Sequence, residues 1–296
     1  MLFLLRLTSN IFLFILLGFF VGKIKLQLIK KSVDFIIFLS LYFLIPIFLF
    51  VSVWQTEIEF KDGLMIILVA VVVVMGGYFW SSIFSKFTKM ALREVSLPII
   101  FMNSAYLAIP LNTLFFGKQG MLFSIFYSLV ISVIHFTFGI YLITNKGAIK
   151  EITKLPIIYS VLFGIVCNVF FPNTPFYIEK ASFYLKSLAF PFMLSIVGYQ
   201  LSSIKIRFFQ LGFGVSLFRI FGGFIVSIVL TSFLGITGSL KSVIILSSTM
   251  PSAISNYILA KKYNANPDLT ASSITVSTFI SVLLSPLYLF LRNLSN

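Results

Sequence analysis

Charged residues are scarce in this chain of 296 residues, at 10% of the sequence, compared with about 25% in soluble globular domains. The chain also has one cysteine, Cys167, and one histidine, His135. A single cysteine excludes a disulfide framework or a cysteine-based zinc site within one chain. Hydrophobic residues instead make up 59% of the sequence, and the mean hydropathy is +1.08. Soluble, disordered and coiled-coil classes are therefore excluded, and we expect lipid to cover the apolar surface.

Apolar runs long enough to cross a hydrocarbon core of about 30 Å recur along the whole chain. Their near-uniform apolarity differs from the alternation of barrel strands, so we predict that they form helices. The predicted fold class is therefore an all-α polytopic membrane protein with ten transmembrane helices. The predicted spans are residues 7–22, 34–54, 63–85, 95–116, 121–143, 156–171, 181–202, 210–234, 240–261 and 269–291.

Basic residues alternate between the loops that join these spans. With the N-terminus outside, the inner loops hold fourteen of the 22 basic residues, and each outer segment holds one. Lys and Arg in short loops collect on the cytoplasmic side of a membrane. We therefore expect a multi-pass protein of the cell membrane with both termini outside, and we interpret the net charge of +14 as an orientation signal rather than a nucleic-acid-binding surface. Removal of residues 7–22 as a signal peptide would break the alternation, so we predict a retained span.

The two halves of the chain share a pattern that predicts an internal repeat. Pro46 in the second span and Pro191 in the seventh are 145 residues apart, and a glutamine lies nine residues after each of them. We predict one five-helix repeat in residues 1–146 and another in residues 151–296. Because five spans is an odd number, the second repeat must enter the membrane from the opposite face. Inverted repeats of this kind recur in secondary transporters.

Proline and polar residues interrupt the fourth and ninth spans at matching places in the two halves. A proline inside a helix deletes the hydrogen bond to the carbonyl four residues back, here those of Tyr106 and Ser247. One interpretation is a kinked but inert helix whose backbone is satisfied by neighbouring side chains. The other is a pair of crossed helices around a central site, with half-helix N-termini for an anion and freed carbonyls for a cation. The candidate substrate-binding residues in the two spans are Asn103, Ser104, Pro110, Asn112, Pro251, Ser252 and Asn256.

Two further residues in the spans have ionisable side chains. Arg219 joins the candidate substrate-binding residues because an arginine near mid-membrane costs several kcal/mol unless it faces a cavity or a partner. It either pairs with an anion or gates the site, or it links helix ends structurally. His135 in the fifth span is expected to be a hydrogen-bonded packing residue rather than a proton carrier. Acidic residues are absent from the depths of the spans, so proton coupling through a buried carboxylate has no obvious carrier.

The ninth span and the turn after it resemble the auxin efflux carrier family of membrane transporters. The segment MPSAISNYILAKKYNANPDLTAS is similar to the family's proline-containing crossover followed by an Ala-Lys-x-Tyr-Asn-x-x-Pro-Asp turn. In the fourth span, Met102 and Ala108 stand where the plant members have proline and glycine. The resemblance implies ten spans in two inverted repeats, crossed fourth and ninth helices, and alternating access. It also implies organic-anion substrates, such as auxin in plants and malate-like dicarboxylates in some bacteria.

The leading hypothesis from the sequence is a secondary transporter that moves a small organic anion by alternating access, with an elevator-type movement. A sodium-coupled bile-acid-type symporter or another ion-coupled carrier of similar fold is the near alternative, and a channel is the distant one. An enzyme is not expected, since the usual metal, aspartyl and serine chemistries lack their residues. We expect no cofactor and no metal site. The lipid bilayer is an expected partner, while a coupling cation and a homodimer are left open.

Overall fold

The computed structural model describes residues 2–24, 27–56, 59–146, 151, 153–204 and 206–284. These residues are helical apart from short connections and one β-bridge. The first half contains α1 (Leu2–Lys23), α2 (Gln27–Leu39), α3 (Ile45–Trp54), α4 (Phe60–Thr88), α5 (Leu92–Ile100), α6 (Ala108–Ile134) and α7 (Ile140–Thr144). The second half contains α8 (Pro156–Phe170), α9 (Phe176–Ser202), α10 (Phe209–Phe233), α11 (Gly238–Ser248), α12 (Ile254–Lys262) and α13 (Pro267–Leu284). Two π-helical turns, Ser40–Leu44 and His135–Gly139, join α2 to α3 and α6 to α7.

Local sequence signals set several helix ends. Pro156 and Pro267 occupy the first positions of α8 and α13, where a missing N–H costs nothing and the fixed φ suits a helix. Asn266 precedes α13 with φ 48°, and its Oδ1 accepts a hydrogen bond from the Leu269 N–H at 3.1 Å. The N–H of Ala91 donates to Glu94 Oε2 at 3.2 Å at the start of α5. These contacts satisfy donors that a helix N-terminus otherwise leaves unpaired.

Six helices of the described residues are long and apolar enough to cross a membrane. They are Lys31–Trp54, Phe60–Thr88, Ala108–Thr144, Phe176–Ser202, Phe209–Phe233 and Pro267–Leu284. Shorter apolar helices cover Leu13–Lys23, Pro156–Phe170 and Gly238–Ser248. The prediction of an all-α multi-pass protein is confirmed at this level. The count of ten spans and their inverted arrangement stay predictions, and residues 285–291 of the tenth predicted span lie outside the described residues.

Residues 108–144 reverse direction at Gly117. This glycine has φ 66° and ψ −151°, a conformation that side chains with a Cβ rarely adopt. Asn112 Nδ2 donates to Ser124 Oγ at 2.9 Å, although twelve residues separate them. Twelve residues of straight helix would span about 18 Å. The chain therefore turns back on itself between Asn112 and Ser124, so α6 contains two packed helical segments, consistent with the predicted boundary between the fourth and fifth spans.

The chain forms two compact units, and each unit combines segments from both halves of the sequence. The first unit consists of Met1–Glu59 and Lys150–Ser203. The second consists of Phe60–Ile149 and Ile204–Asn296. The proposed division into repeats at residues 146 and 151 concerns internal duplication, which this packing does not test, so it stays a prediction.

In the first unit, α1 packs tightly against α9 through glycines. A methyl group on Gly198 would collide with the Ile15 carbonyl, and one on Gly18 would collide with the Ser195 carbonyl. Gly22, four residues after Gly18, lies against the Ser202 side chain. Small residues four apart let the backbones of membrane helices approach closely. The close approach of these two helices therefore depends on the absence of side chains at the three glycines.

In the second unit, α10 is packed by α4, α11 and α13. Gly223 of α10 lies against the Ser248 carbonyl at the end of α11, and Gly212 lies against Ser272 of α13. Gly77 of α4 lies against the backbone of Ile100 at the end of α5. These small residues allow α4 and α10 to approach the ends of the two short helices α5 and α11. Both of those helices stop inside the unit, and the candidate site begins where they stop.

Candidate functional site

The first interruption separates α5 from α6. Helix α5 ends at Ile100, and Phe101 is extended with φ −103° and ψ 119°. Helical structure resumes at Ala108, so Pro110 lies in the first turn of α6 and is buried. A proline in the first helical turn deletes no intrahelical hydrogen bond. The fourth predicted span is thus broken on the N-terminal side of its proline.

The second interruption separates α11 from α12. Helix α11 ends at Ser248, and α12 begins at Ile254 after a short connection that contains Pro251. Thr249 Oγ1 donates to the carbonyls of Ile245 and Leu246 at 3.1 and 2.8 Å, which satisfies acceptors at the end of α11. The Ser247 carbonyl, expected from the sequence to lose its partner to Pro251, accepts a bond from Met250 N at 3.3 Å.

The two interrupted segments pair with each other as a single antiparallel bridge between Met102 and Ser252. Asn103 N donates to the Pro251 carbonyl at 2.7 Å, and Ala253 N donates to the Phe101 carbonyl at 3.0 Å. The backbone groups freed by the two breaks therefore satisfy one another, as polar backbone groups in a membrane must. We call residues 101–107 and 249–253 together the crossing.

Asn256, in the first turn of α12, ties the crossing together. Its Nδ2 donates to the Phe101 carbonyl and to Ser252 Oγ, each at 2.9 Å. Its Oδ1 is buried, and its side chain also interacts with the His135 ring. Ser252 is held a second time, because its N–H donates to Ser277 Oγ of α13 at 3.1 Å. Asn256 thus supplies both a structural link and a buried acceptor oxygen at the crossing.

Asn103 and Ser104 lie in the first interrupted segment and are 5% exposed. Asn103 Oδ1 accepts a hydrogen bond from Tyr106 N at 3.2 Å, which stabilises the turn towards α6. Ser104 Oγ lies 3.5 Å from Ser128 Oγ of α6. The structure thus brings Asn103, Ser104, Pro251, Ser252 and Asn256 together at one place.

Asn112 lies deeper in α6 and belongs to a neighbouring polar group. Its Nδ2 donates to Ser124 Oγ and to Ser247 Oγ, each at 2.9 Å. Tyr127 and Ser248 hydrogen-bond through their hydroxyls at 2.8 Å. Ser124, Tyr127 and Ser128 were not predicted from the sequence. Their spacing of three and four residues places them on one face of a helix, and this polar face in an apolar span was the available signal.

Arg219 of α10 is 1% exposed and binds the ends of both short helices. Its Nη1 donates to the carbonyls of Ile99, at 2.7 Å, and Ile100 at the end of α5, and its Nη2 donates to the Ser248 carbonyl at 2.8 Å at the end of α11. The C-terminus of a helix carries unpaired carbonyls and the negative end of the dipole, both of which favour a cation. Arg219 therefore links helix ends, which is one of the two roles that the sequence left open. Its Nε has no partner among the described residues.

His135 begins the π-helical turn after α6 and contacts the crossing directly. Its ring stacks on Phe101 with centroids 4.3 Å apart and an angle of 18°. Its Nδ1 lies 3.4 Å from Ser255 Oγ. These contacts agree with the expected hydrogen-bonded packing role, and the packing partner is a side chain of the interrupted segment. Groups of three or more His, Cys, Asp or Glu side chains that could hold a metal do not occur among the described residues.

The fold is that of a multi-pass membrane protein with two interrupted helices that pair at the crossing. Residues 146–289 match the family described as membrane transport protein. This match covers just under half of the chain, and for that part it confirms the resemblance to an auxin efflux carrier-like family that the motifs predicted.

Two curated archaeal proteins are similar to this chain. An uncharacterized transporter of Methanocaldococcus jannaschii is 28% identical over 197 residues, and one of Methanothermobacter thermautotrophicus is 26% identical over 197 residues. Each match covers 63% of this chain and 64% of the relative, which is less than two thirds of the relative's length. Both relatives are named as transporters.

Proposed function

We propose that this protein is a secondary transporter that moves a small organic anion, such as a carboxylate, across the membrane by alternating access. The observation that carries the proposal is the crossing, where two interrupted helices pair through Met102 and Ser252 inside one compact unit. Paired broken helices of this kind surround the substrate sites of many secondary transporters.

The electrostatics of the crossing favour an anion. Helices α6 and α12 begin at Ala108 and Ile254, on either side of the bridge. Each helix N-terminus offers N–H groups and the positive end of its dipole, which together make an anion-binding site. Arg219 stabilises the opposite, C-terminal ends of α5 and α11, so negative dipole ends near the crossing are already neutralised. A carboxylate is the small-molecule group that these features suit.

All residues of the crossing belong to the second unit, which also supports an elevator-type movement of that unit across the membrane. The full proposal includes ten spans in two inverted repeats with both termini outside. Under this arrangement, the cargo stays on one rigid site while access changes from one side to the other. The substrate-binding residues in the proposal are the crossing residues, Asn256, Asn112, Pro110 and, as a positioning residue, Arg219.

The proposal is tested by uptake of radiolabelled malate and indole-3-acetate into liposomes that contain the purified protein. Asn256→Ala is expected to lower uptake at least about tenfold, equivalent to about 1.4 kcal/mol of binding energy. The matched control is Asn168→Ala, because Asn168 of α8 also donates its Nδ2 to a backbone carbonyl, that of Trp54 at 2.8 Å, but lies in the first unit. Uptake should survive this control substitution.

Three outcomes would contradict the proposal. Equal uptake by Asn256→Ala and wild type would remove the site from the crossing. Unitary currents in bilayers, at rates far above carrier turnover, would indicate a channel. Absence of any carboxylate uptake or binding would remove the substrate class. A sodium gradient included as a further arm separates an ion-coupled carrier from a uniporter.

A further inference from the structure

Four helices of the second unit meet at one end of that unit, where α4 ends and α5, α10 and α13 begin. A cluster of buried apolar side chains joins them. The cluster consists of Phe84 of α4, Val95 and Ile99 of α5, Val215 of α10 and Leu269 of α13. Because these helix ends pack on one another, the chain segments just beyond them lie on one surface. The segments are residues 86–94, 206–210 and 261–268.

Hydrogen bonds hold the three segments together. Arg93 Nη2 donates to the carbonyls of Tyr263 and Asn264 at 3.2 and 3.0 Å, which joins the first segment to the third. The backbone N–H of Arg207 donates to Ser272 Oγ of α13 at 3.1 Å, which joins the second segment to the helix that follows the third. Backbone groups take part in each of these bonds, so the fold itself sets the arrangement of the surface.

This surface, which we call the basic face, carries an excess of positive charge. Its described charged residues are Lys86, Lys89, Arg93, Glu94, Arg207, Lys261, Lys262 and Asp268. Six of these are basic and two are acidic, which gives a net charge of +4. Both acids are already engaged, since Glu94 Oε2 accepts a hydrogen bond from Ala91 N at 3.2 Å and Asp268 Oδ2 lies 2.8 Å from Arg207 Nη1.

Three exposed lysines of the basic face, Lys86, Lys89 and Lys261, form no ion pair among the described residues. They lie on two different segments, which Arg93 joins, so their charges share one surface. Like charges held on one surface repel each other unless a counter-ion reduces the repulsion. The basic face therefore favours an anion with several acceptor oxygens, such as a phosphate group.

Exposed apolar side chains border the same charges. Phe87, between Lys86 and Lys89 in the sequence, is 82% exposed, and Phe209 is 61% exposed. The rings of Phe209 and Phe213 stack with centroids 6.4 Å apart. Basic residues beside exposed aromatic residues are typical of segments that lie at the boundary between headgroups and acyl chains. A soluble anion would leave the aromatic rings uncovered, whereas a lipid covers the rings as well as the charges.

We propose that the basic face binds the headgroups of anionic phospholipids. The lipid phosphate pairs with the lysines of the face, and the acyl chains cover Phe87 and Phe209. The alternation of basic loops predicts that this end of the unit is cytoplasmic, where anionic lipids give the leaflet a negative surface potential. Lipid binding at this face does not depend on which cargo the protein carries, so it goes beyond the proposed function.

The test measures lipid binding to the full-length protein in maltoside micelles by native mass spectrometry. The probes are dioleoylphosphatidylglycerol (PG) and dioleoylphosphatidylcholine (PC), which share their acyl chains and differ in net charge. Each basic residue near an anionic membrane surface strengthens binding about fivefold. We therefore expect PG to bind at least about tenfold more tightly than PC, with a smaller difference at higher ionic strength, which screens exposed charges.

Two matched variants locate the binding. Lys86→Gln combined with Lys261→Gln removes two charges of the basic face and should lower the affinity for PG at least about tenfold, while the affinity for PC stays unchanged. Lys61→Gln combined with Lys180→Gln removes two exposed lysines outside the face and should leave both affinities unchanged. Glycerol 3-phosphate, which carries the phosphate without acyl chains, should not displace PG at equal concentration.

Equal affinities of the wild type for PG and PC would overturn the proposal. An unchanged PG affinity after loss of Lys86 and Lys261, or the same decrease in the control variant, would also overturn it. Displacement of PG by glycerol 3-phosphate would replace the lipid by a soluble anion. If the double variant does not fold, Lys89→Gln alone decides the matter, with an expected decrease in PG affinity of about fivefold.

Discussion

Different kinds of interaction stabilise the interiors of the two compact units. Among the described residues, the buried polar side chains of the first unit are the serines Ser40, Ser52, Ser182 and Ser202. The first unit relies on glycines that let α1 and α9 approach closely. The second unit buries asparagines, a histidine and an arginine, and it pairs two broken helices through them. The interior of the first unit thus depends on close helix packing, whereas that of the second depends on directional hydrogen bonds.

The largest effect is expected from Arg219→Met. The substitution leaves the carbonyls of Ile99, Ile100 and Ser248 without their donor, so we expect a loss of about 3 kcal/mol in the free energy of unfolding. Thermal unfolding in detergent without substrate measures the loss. Arg219→Lys keeps the charge but not the planar guanidinium group. Its stability should therefore lie between that of the wild type and that of Arg219→Met. Wild-type stability of Arg219→Met would mean that the second unit does not depend on its arginine.

A second prediction addresses the first unit. Gly198→Ala forces α1 away from α9 because the new methyl group collides with the Ile15 carbonyl. We expect a loss of about 2 kcal/mol in stability, typical of overpacking, with unchanged carboxylate affinity in the folded fraction. Gly63→Ala is the matched control, since a Cβ there meets no atom within 4 Å. Equal melting temperatures for the two variants would argue against close glycine packing.

The third prediction compares the contributions of Asn112 and Ser124 to stability. Asn112→Ala removes both bonds to Ser124 and Ser247, whereas Ser124→Ala removes one. We expect losses of about 1 kcal/mol and about 0.5 kcal/mol, because hydrogen bonds within membranes are individually modest. Chemical unfolding in mixed micelles distinguishes these values. A larger loss in Ser124→Ala than in Asn112→Ala would be inconsistent with the geometry.

The smallest effect is expected at the surface of the second unit. Arg207 Nη1 and Asp268 Oδ2 lie 2.8 Å apart, and both side chains are exposed, at 60% and 44%. Exposed ion pairs contribute about 0–1 kcal/mol, so Asp268→Asn should change the melting temperature little and less still at high salt. A loss comparable to that of Arg219→Met would show that the exposed ion pair, and not the buried core, stabilises the unit.

The sequence predicted where two helices are interrupted, but not that the two interrupted segments pair with each other. Proline and polar residues in apolar spans mark both interruptions, because they are local signals that a helix cannot accommodate. The pairing of Met102 with Ser252 joins positions 150 residues apart, which no local pattern encodes. The bond between Asn112 and Ser247 spans 135 residues and was hidden for the same reason. For Arg219, the sequence left two roles open, and only the positions of the helix ends distinguish the structural one.

The contacts of His135, too, could be predicted only in part from the sequence. A single histidine in an apolar span has packing as its ordinary interpretation, and its stacking on Phe101 agrees with that interpretation. The π-helical turn and the identity of the stacking partner appear only in three dimensions.

The crossing itself is tested most directly by a disulfide between its two segments. In the bridge, Asn103 N bonds to Pro251 O and Ala253 N bonds to Phe101 O, so Met102 and Ser252 form the closely spaced type of antiparallel pair, with Cα atoms about 4.5 Å apart. That separation suits a disulfide. In a Cys167→Ser background, Met102→Cys with Ser252→Cys is expected to cross-link on oxidation and to return to free thiols on reduction. Free thiols that persist under oxidising conditions would contradict the account.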